Sequence, residues 1–289
     1  GTPDFAVGSA QALKESGVDI AAVVTVPDKA AGRGLRLHQS AMKSWAQAHE
    51  LPILQPADLR DAGFLQALRA FEADLFVVVA FRILPKEVFS IPRLGTMNLH
   101  ASLLPKYRGA APINWALIRG ENETGVTTFL IDEQVDTGDY LLQKKVKIGE
   151  QETFGELYTR LKKIGSVLLV ETVHRFAAGE IEPKKQRGEP TSAPKLTPAL
   201  RRIDWSRHAK DIFNLVRGLS PVPAAFTTLR GKDLKIFACT PSEIDDSSRE
   251  PSTVRAVDAK TGLLEIQAGG NSAVRIETLQ LEGKKKLSV

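Results

Sequence analysis

A single cysteine, Cys239, in 289 residues leaves no partner for an internal disulfide, which fits a reducing compartment. No cluster of cysteine and histidine has metal-ligand spacing, so no metal is expected. No apolar run approaches the roughly 18 residues of a membrane-spanning helix. The longest pure run, residues 75–81, suits a buried strand, so no membrane partner is expected. Nucleotide fingerprints are missing too. Gly32-Arg33-Gly34 lacks a third glycine, and no G-x-x-x-x-G-K-[ST] string occurs, which argues against a dinucleotide-dependent dehydrogenase or a phosphate-loop ATPase.

What the chain has is an ordinary globular composition, 43% hydrophobic and 25% charged, with length for one large core or two smaller ones. Its net charge of +5 is uneven: residues 1–182 sum to −2, residues 183–203 to +5 and residues 205–289 to +3. Such an excess on a linker and a C-terminal module is the footprint of a docked polyanion, or else of a solvated linker. The chain opens on Gly1-Thr2-Pro3-Asp4, a turn with no strand ahead of the helix it starts, and stops at Val289 without a cap. Residues are expected to be missing at both ends, about one strand's worth at the first.

Helical periodicity is expected over 6–16, 40–50, 61–72, 111–120, 154–178 and 207–219, with Pro112 at a helix start and a helical turn at 84–89. Apolar stretches at 20–26, 52–54, 74–80 and 96–100 read as buried strands, 126–132 and 140–148 as strands flanking the Asp136 loop, and 27–34 as a loop. Strands alternating with helices predict the α/β class: a Rossmann-like, doubly wound, mostly parallel sheet. Residues 183–198 carry four prolines and read as an extended linker. Short strands at 225–230, 235–239, 253–258, 263–268 and 274–280 predict a small C-terminal β-barrel of the OB kind. The expected domains are residues 1–182, a basic linker 183–203, and residues 204–289.

The most informative string is Asn98-Leu99-His100-Ala101-Ser102-Leu103-Leu104-Pro105, with Asp136-Thr137-Gly138-Asp139 about thirty residues later. An amide, an imidazole and a carboxylate are what acyl transfer to an amine needs: a donor to the developing oxyanion, a proton acceptor, and a group that orients and charges the imidazole. Asn98 and His100 are two apart, so a strand projects both to one face. Each also has a plainer reading, as a capping amide, a structural imidazole and a turn-forming aspartate. His38, His49, His174 and His208 lack such company and read as surface or packing residues.

Together with Gly1-Thr2-Pro3-Asp4-Phe5-Ala6, Pro27-Asp28-Lys29, Gly32-Arg33-Gly34, Lys106-Tyr107-Arg108-Gly109-Ala110-Ala111-Pro112-Ile113, Glu123-Thr124-Gly125-Val126-Thr127 and Ile203-Asp204-Trp205, these strings give a chain that resembles the methionyl-tRNA formyltransferases over nearly its whole length. The resemblance implies transfer of a formyl group from 10-formyltetrahydrofolate to the α-amino group of methionyl-initiator tRNA. It implies a monomeric bacterial enzyme of the cytoplasm, with an organellar origin also open. In it Asn98 donates to the oxyanion, His100 takes the amine's proton, and Asp136 holds the imidazole and stabilises its charged form. The folate lies beside Ser102, Leu103, Leu104 and Pro105, with Phe81 and Leu84 forming another wall. There Ala80-Phe81-Arg82-Ile83-Leu84-Pro85 is one residue shorter than the family's Ala-Tyr-Gly-x-Ile-Leu-Pro. Arg33, between glycines, is placed at the entering acceptor end of the tRNA, assisted by Lys29 and Arg36. The tRNA backbone then runs over Lys184, Lys185, Arg187, Lys195, Arg201 and Arg202. Three alternatives stay open. An amino-sugar nucleotide formyltransferase keeps the chemistry and changes the acceptor, a glycinamide ribonucleotide transformylase would not need residues 205–289, and a tRNA-binding protein would lack turnover.

Overall fold

Pro3 and Asp4 start a helix, α1 (Asp4–Glu15), whose buried Phe5, Ala6, Ser9 and Leu13 recur every three to four residues along one face. A computed structural model describes residues 1–31, 36–244 and 248–289 of this chain. After α1 come β1 (Val23–Val24) and an antiparallel hairpin of β2 (Lys29–Ala31) and β3 (Arg36–His38). The sequence reading had this segment as loop. Asp28 fixes the base of the hairpin, accepting from Lys43 Nζ at 2.6 Å and Gln55 Nε2 at 2.9 Å. Those two bonds, Lys43's first, hold its carboxyl below the usual carboxylate range.

Helix α2 (Ala41–Ala48), capped by the Ser40 hydroxyl, leads to β4 (Ile53–Leu54), which pairs in parallel with β1. Asp61 caps α3 (Ala62–Ala70); then follow β5 (Phe76–Val78), α4 (Lys86–Phe89) and β6 (Thr96–His100). Next are α5 (Pro112–Ile118), β7 (Glu123–Leu130), β8 (Tyr140–Lys147) and the long α6 (Phe154–Ala177). Strands β5 to β8 form one sheet in chain order, parallel at β5–β6 and antiparallel at β6–β7. The α/β class is as expected, with a mixed sheet where a mostly parallel one was read. Alternation of strands and helices does not encode strand direction, and β7 returns beside β6 running the other way. Strands β1 and β4 form a separate pair. Val23, Val24, Phe76 and Val78 all line a cavity of about 550 Å³.

The chain forms two compact units that interleave in sequence. One comprises Gly1–Gly109, Gly125–Val146 and Arg160–Ser192; the other comprises Ala110–Thr124, Lys147–Thr159 and Ala193–Val289. In the first, Met97, Leu99, Val126, Phe129, Leu161 and Leu169 are almost fully buried. Gly165 lets α6 lie close under β6, since a Cβ there would fall 3.0 Å from Leu99 Cδ2.

The second unit adds α7 (Pro198–Arg201), α8 (Ala209–Leu219), β9 (Ala225–Leu229), β10 (Lys232–Glu243), β11 (Val254–Asp258), β12 (Leu263–Gln267), β13 (Ser272–Leu281) and β14 (Leu287–Ser288). This is the small antiparallel β unit the sequence predicted, paired in the order β11-β12-β13-β10-β9 with β14 beside β13. Ile212, Phe213, Val216 and Leu219 of α8 pack with Ile236, Ile266, Val274 and Ile276, and Ile118 of α5 joins them. Of residues 183–198, read as an extended linker, only Pro198 lies in a helix or strand, as the first residue of α7. They are nevertheless tied down, Lys184 pairing with Tyr140 and Ser192 with Arg108.

Candidate active site

Strand β6 lies between β5 and β7, with Val78 opposite Asn98 and Thr127 opposite His100. Its alternation turns Met97 and Leu99 into the core and puts Asn98 and His100 together on the other face. The side-chain amide of Asn98 is half-buried and has no hydrogen-bond partner among the described residues.

Beyond His100 the chain turns into a loop held from several sides. The buried Ser102 hydroxyl donates to Lys106 O at 2.6 Å. Thr127 Oγ1 donates to Ser102 O at 2.6 Å and accepts from Leu104 N at 3.2 Å. Gln143 Nε2 reaches both Leu104 O at 2.8 Å and Thr127 Oγ1 at 3.0 Å. Leu104 and Pro105 are buried and Leu103 half-buried, so residues 102–105 form a fixed wall. Farther along, Tyr107 and Gly109 take left-handed backbone angles, φ 61° and 122°.

The His100 ring is 7% exposed as a residue and sits between this loop and the next. Its Nε2 lies 2.8 Å from Tyr107 O. A carbonyl only accepts, so Nε2 carries the hydrogen, and in the neutral ring Nδ1 keeps the lone pair. Nδ1 faces Asp136 Oδ2 at 3.7 Å, both side chains being about nine-tenths buried. The bond that orients the ring is therefore Tyr107's. Asp136, to which the sequence reading gave that task, stands at ion-pair distance. Asp136 Oδ2 also accepts from Gly109 N at 2.7 Å.

Asp136 is not spent on capping its own turn. Asp132 does that, accepting from Gln134 N at 3.1 Å and Thr137 Oγ1 at 2.6 Å. The loop holds Asp136 at φ 57°, and a Cβ on Gly138 would overlap Leu130 O. Gln186, from the linker, donates to Asp136 O and Gly138 O at 2.9 and 2.8 Å. Sequence reasoning missed Tyr107, Gln143 and Gln186 as site residues. Gln143 and Gln186 are single polar residues without a spacing signal, and Tyr107 acts through its carbonyl, which no side-chain pattern reveals.

Phe81 and Leu84 pack against the cluster of Leu59, Phe64, Leu68 and Val88 and line the cavity beside β5. Arg82 of the short loop between them donates to Pro56 O and Ala57 O at 2.8 and 3.0 Å. Among the basic residues, Lys29 is exposed at the start of the hairpin. Arg33 and the side chain of Arg36 lie outside the described residues. Lys184, Lys185 and Arg187 are exposed in the first unit, with Lys185 Nζ 3.1 Å from Asp139 Oδ1; Lys195 and Arg202 are exposed in the second. Arg201 differs. Its guanidinium donates to Pro223 O and Ala224 O and lies 5.7 Å from the Phe226 ring, so it clamps its own unit.

A model of the formyl transferase family matches residues 1–173, and one of the formyl transferase C-terminal domain matches residues 195–289. The chain is 43% identical to the methionyl-tRNA formyltransferase of Bacteroides fragilis, over 99% of this chain and 90% of that one. It is 45% identical to the methionyl-tRNA formyltransferase of Lachnospira eligens, over 99% and 92%. Among solved structures it resembles HypX from Aquifex aeolicus in complex with tetrahydrofolic acid, with a TM-score of 0.59 at 23% identity, over 84% of this chain and 42% of that one. No helix among the described residues is long and apolar enough to cross a membrane.

Proposed function

Because the chain belongs to the formyl transferase family, N-terminal and C-terminal domains alike, we propose that it transfers a formyl group to the α-amino group of methionyl-initiator tRNA, in translation initiation, through Asn98, His100 and Asp136. The observation that carries the mechanism is the His100 ring, with Nε2–H spent on Tyr107 O and Nδ1 turned to Asp136. The donor on this reading is 10-formyltetrahydrofolate, which supplies an electrophilic formyl carbon. Two features fit it. One is the fixed wall of residues 102–105; the other is the unpartnered amide of Asn98 on the same face as His100.

An α-amino group has a pKa of roughly 7.7–8.0, so much of it is protonated at neutral pH and cannot attack a carbonyl carbon. His100 Nδ1 is the lone pair that takes this proton, directly or through one water. The Asp136 carboxylate stands 3.7 Å from that nitrogen, opposite the positive charge the ring carries once it has taken the proton. Gly109 N and the loop backbone hold the carboxylate so that it need not reorganise as charge appears. The Asn98 amide donates to the formyl oxygen as negative charge develops on it. The bond from the formyl carbon to the donor's nitrogen then breaks, and that nitrogen leaves as tetrahydrofolate with the proton the amine loses in forming the amide. The exposed Lys184, Lys185, Arg187, Lys195 and Arg202, with Lys29, Arg33 and Arg36, meet the tRNA phosphates in this reading.

The test is formyl transfer from 10-formyltetrahydrofolate to methionyl-initiator tRNA and, in parallel, to an amino-sugar nucleotide. Transfer to the charged tRNA alone is expected. Transfer to the sugar alone would keep the chemistry and replace the acceptor.

A further inference from the structure

Gln186 does something that none of its neighbours in the linker does. Its Nε2 donates to the carbonyls of Asp136 and Gly138, 2.9 and 2.8 Å away, on either side of Thr137. Its Oε1 accepts from Arg108 Nη2 at 2.7 Å. Arg108 lies between Tyr107, whose carbonyl takes the His100 Nε2–H, and Gly109, whose N–H binds Asp136 Oδ2. One side-chain amide therefore spans both loops that bracket His100.

Those loops need holding. Asp136 and Tyr107 sit in the left-handed region, at φ 57° and 61°, where non-glycine residues stay only if their surroundings keep them. The linker supplies more of that restraint: Thr191 Oγ1 accepts from Tyr107 N at 2.9 Å, Thr191 O accepts from Arg108 N at 2.8 Å, and Lys184 pairs with Tyr140 just past the Asp136 loop. Gln186 is half-buried, while its neighbours Lys184, Lys185 and Arg187 are exposed. The segment thus presents cations outward and a single amide inward.

We propose that Gln186 is a positioning residue for the reaction: it locks the Asp136 loop to the Tyr107-Arg108-Gly109 loop and so sets the carboxylate against His100 Nδ1. This rests on the reading of His100 and Asp136 given above. It also makes the linker part of the catalytic geometry as well as a basic surface. Gln186→Glu keeps the shape and the acceptor for Arg108 while removing both donors to the loop carbonyls; Gln186→Ala removes all three bonds.

The experiment measures kcat and KM for methionyl-initiator tRNA in the full chain, with 10-formyltetrahydrofolate as donor. The proteins are wild type, Gln186→Ala, Gln186→Glu, Asp136→Asn and the double variant Gln186→Ala/Asp136→Asn, each checked by thermal melting. A displaced loop misaligns the pair, so both Gln186 variants are expected to lose roughly 10- to 100-fold in kcat, with KM within about twofold of wild type. In the Asp136→Asn background Gln186→Ala should cost less than about twofold more, because the group it positions is already disabled. Wild-type kcat in both Gln186 variants beside an impaired Asp136→Asn would overturn the proposal alone. An equal loss from Gln186→Ala in either background would overturn it too, since Gln186 would then act elsewhere. Wild-type kcat in Asp136→Asn would instead sink the underlying role of Asp136. If Gln186→Ala melts early, the isosteric Gln186→Glu decides alone: the expected loss of kcat supports the proposal and wild-type turnover overturns it.

Discussion

The tautomer of His100 follows from one hydrogen bond to a backbone carbonyl, and the mechanism turns on it. With Nε2–H held by Tyr107, the ring has a single basic nitrogen, aimed at the Asp136 side. His100→Ala should cost about 10²–10⁴-fold in kcat, the range for a general base. Asn98→Ala should cost about 10²–10³-fold, the range for one oxyanion donor. Turnover at saturating donor and tRNA measures both, and a near-wild-type rate in either removes that residue from the mechanism. A second residue of chemical note is Cys239. It is 4% exposed, and burial first, then the charge of Glu277, pushes its thiol up to about 12. A thiol titrating there is almost wholly protonated at pH 8, so it is neither nucleophilic nor readily oxidised. A disulfide reagent should therefore label the native protein only as fast as its second unit opens; rapid stoichiometric labelling at pH 8 without denaturant contradicts this burial.

Elements were legible in the sequence wherever their own periodicity decided them. The strand at 96–100 is β6 residue for residue, and the long helix expected at 154–178 is α6 to within its last residue. Helix α8 could be read because Ile212, Phe213, Val216 and Leu219 mark one stripe. The hairpin β2–β3 could not, since glycine and charge there resemble a loop and its anchor is the tertiary contact of Asp28 with Lys43 and Gln55. Also hidden was the use of Arg217, on the buried face of α8. Its guanidinium donates to Asn214 Oδ1 at 2.9 Å and Gly149 O at 3.2 Å and stacks on Phe213. Arg217→Ala strands those acceptors and opens a void, costing about 2–4 kcal/mol. By calorimetry the second unit should melt roughly 5–10 °C lower; an unchanged transition would mean that the bonds are not formed in solution.

At the scale of the whole molecule the charge distribution fits the proposed partner. On that reading a chain of net +5, with its surplus at 183–203 and beyond 205, meets the tRNA mainly through phosphate contacts. The apparent KM for tRNA should rise steeply with salt, log KM climbing by about 0.7–0.9 per phosphate neutralised for each decade of salt. Charge-reversal at Lys184 and Arg187 should flatten that slope, whereas a KM indifferent to ionic strength would remove the basic segment from the binding surface. Arg201 is expected to contribute to melting temperature more than to this slope, because its donors are already engaged. By itself, the sequence determined the α/β class and the C-terminal β unit and singled out Asn98, His100 and Asp136 as candidates, because periodicity and residue type are local properties. Only the tertiary structure decided that the sheet is mixed, that α5 joins the second core, that a tyrosine carbonyl orients His100, and that a glutamine from the linker holds the Asp136 loop. Each of those depends on groups far apart in the chain, or on a backbone atom that every residue carries alike, so no spacing in the sequence could announce it.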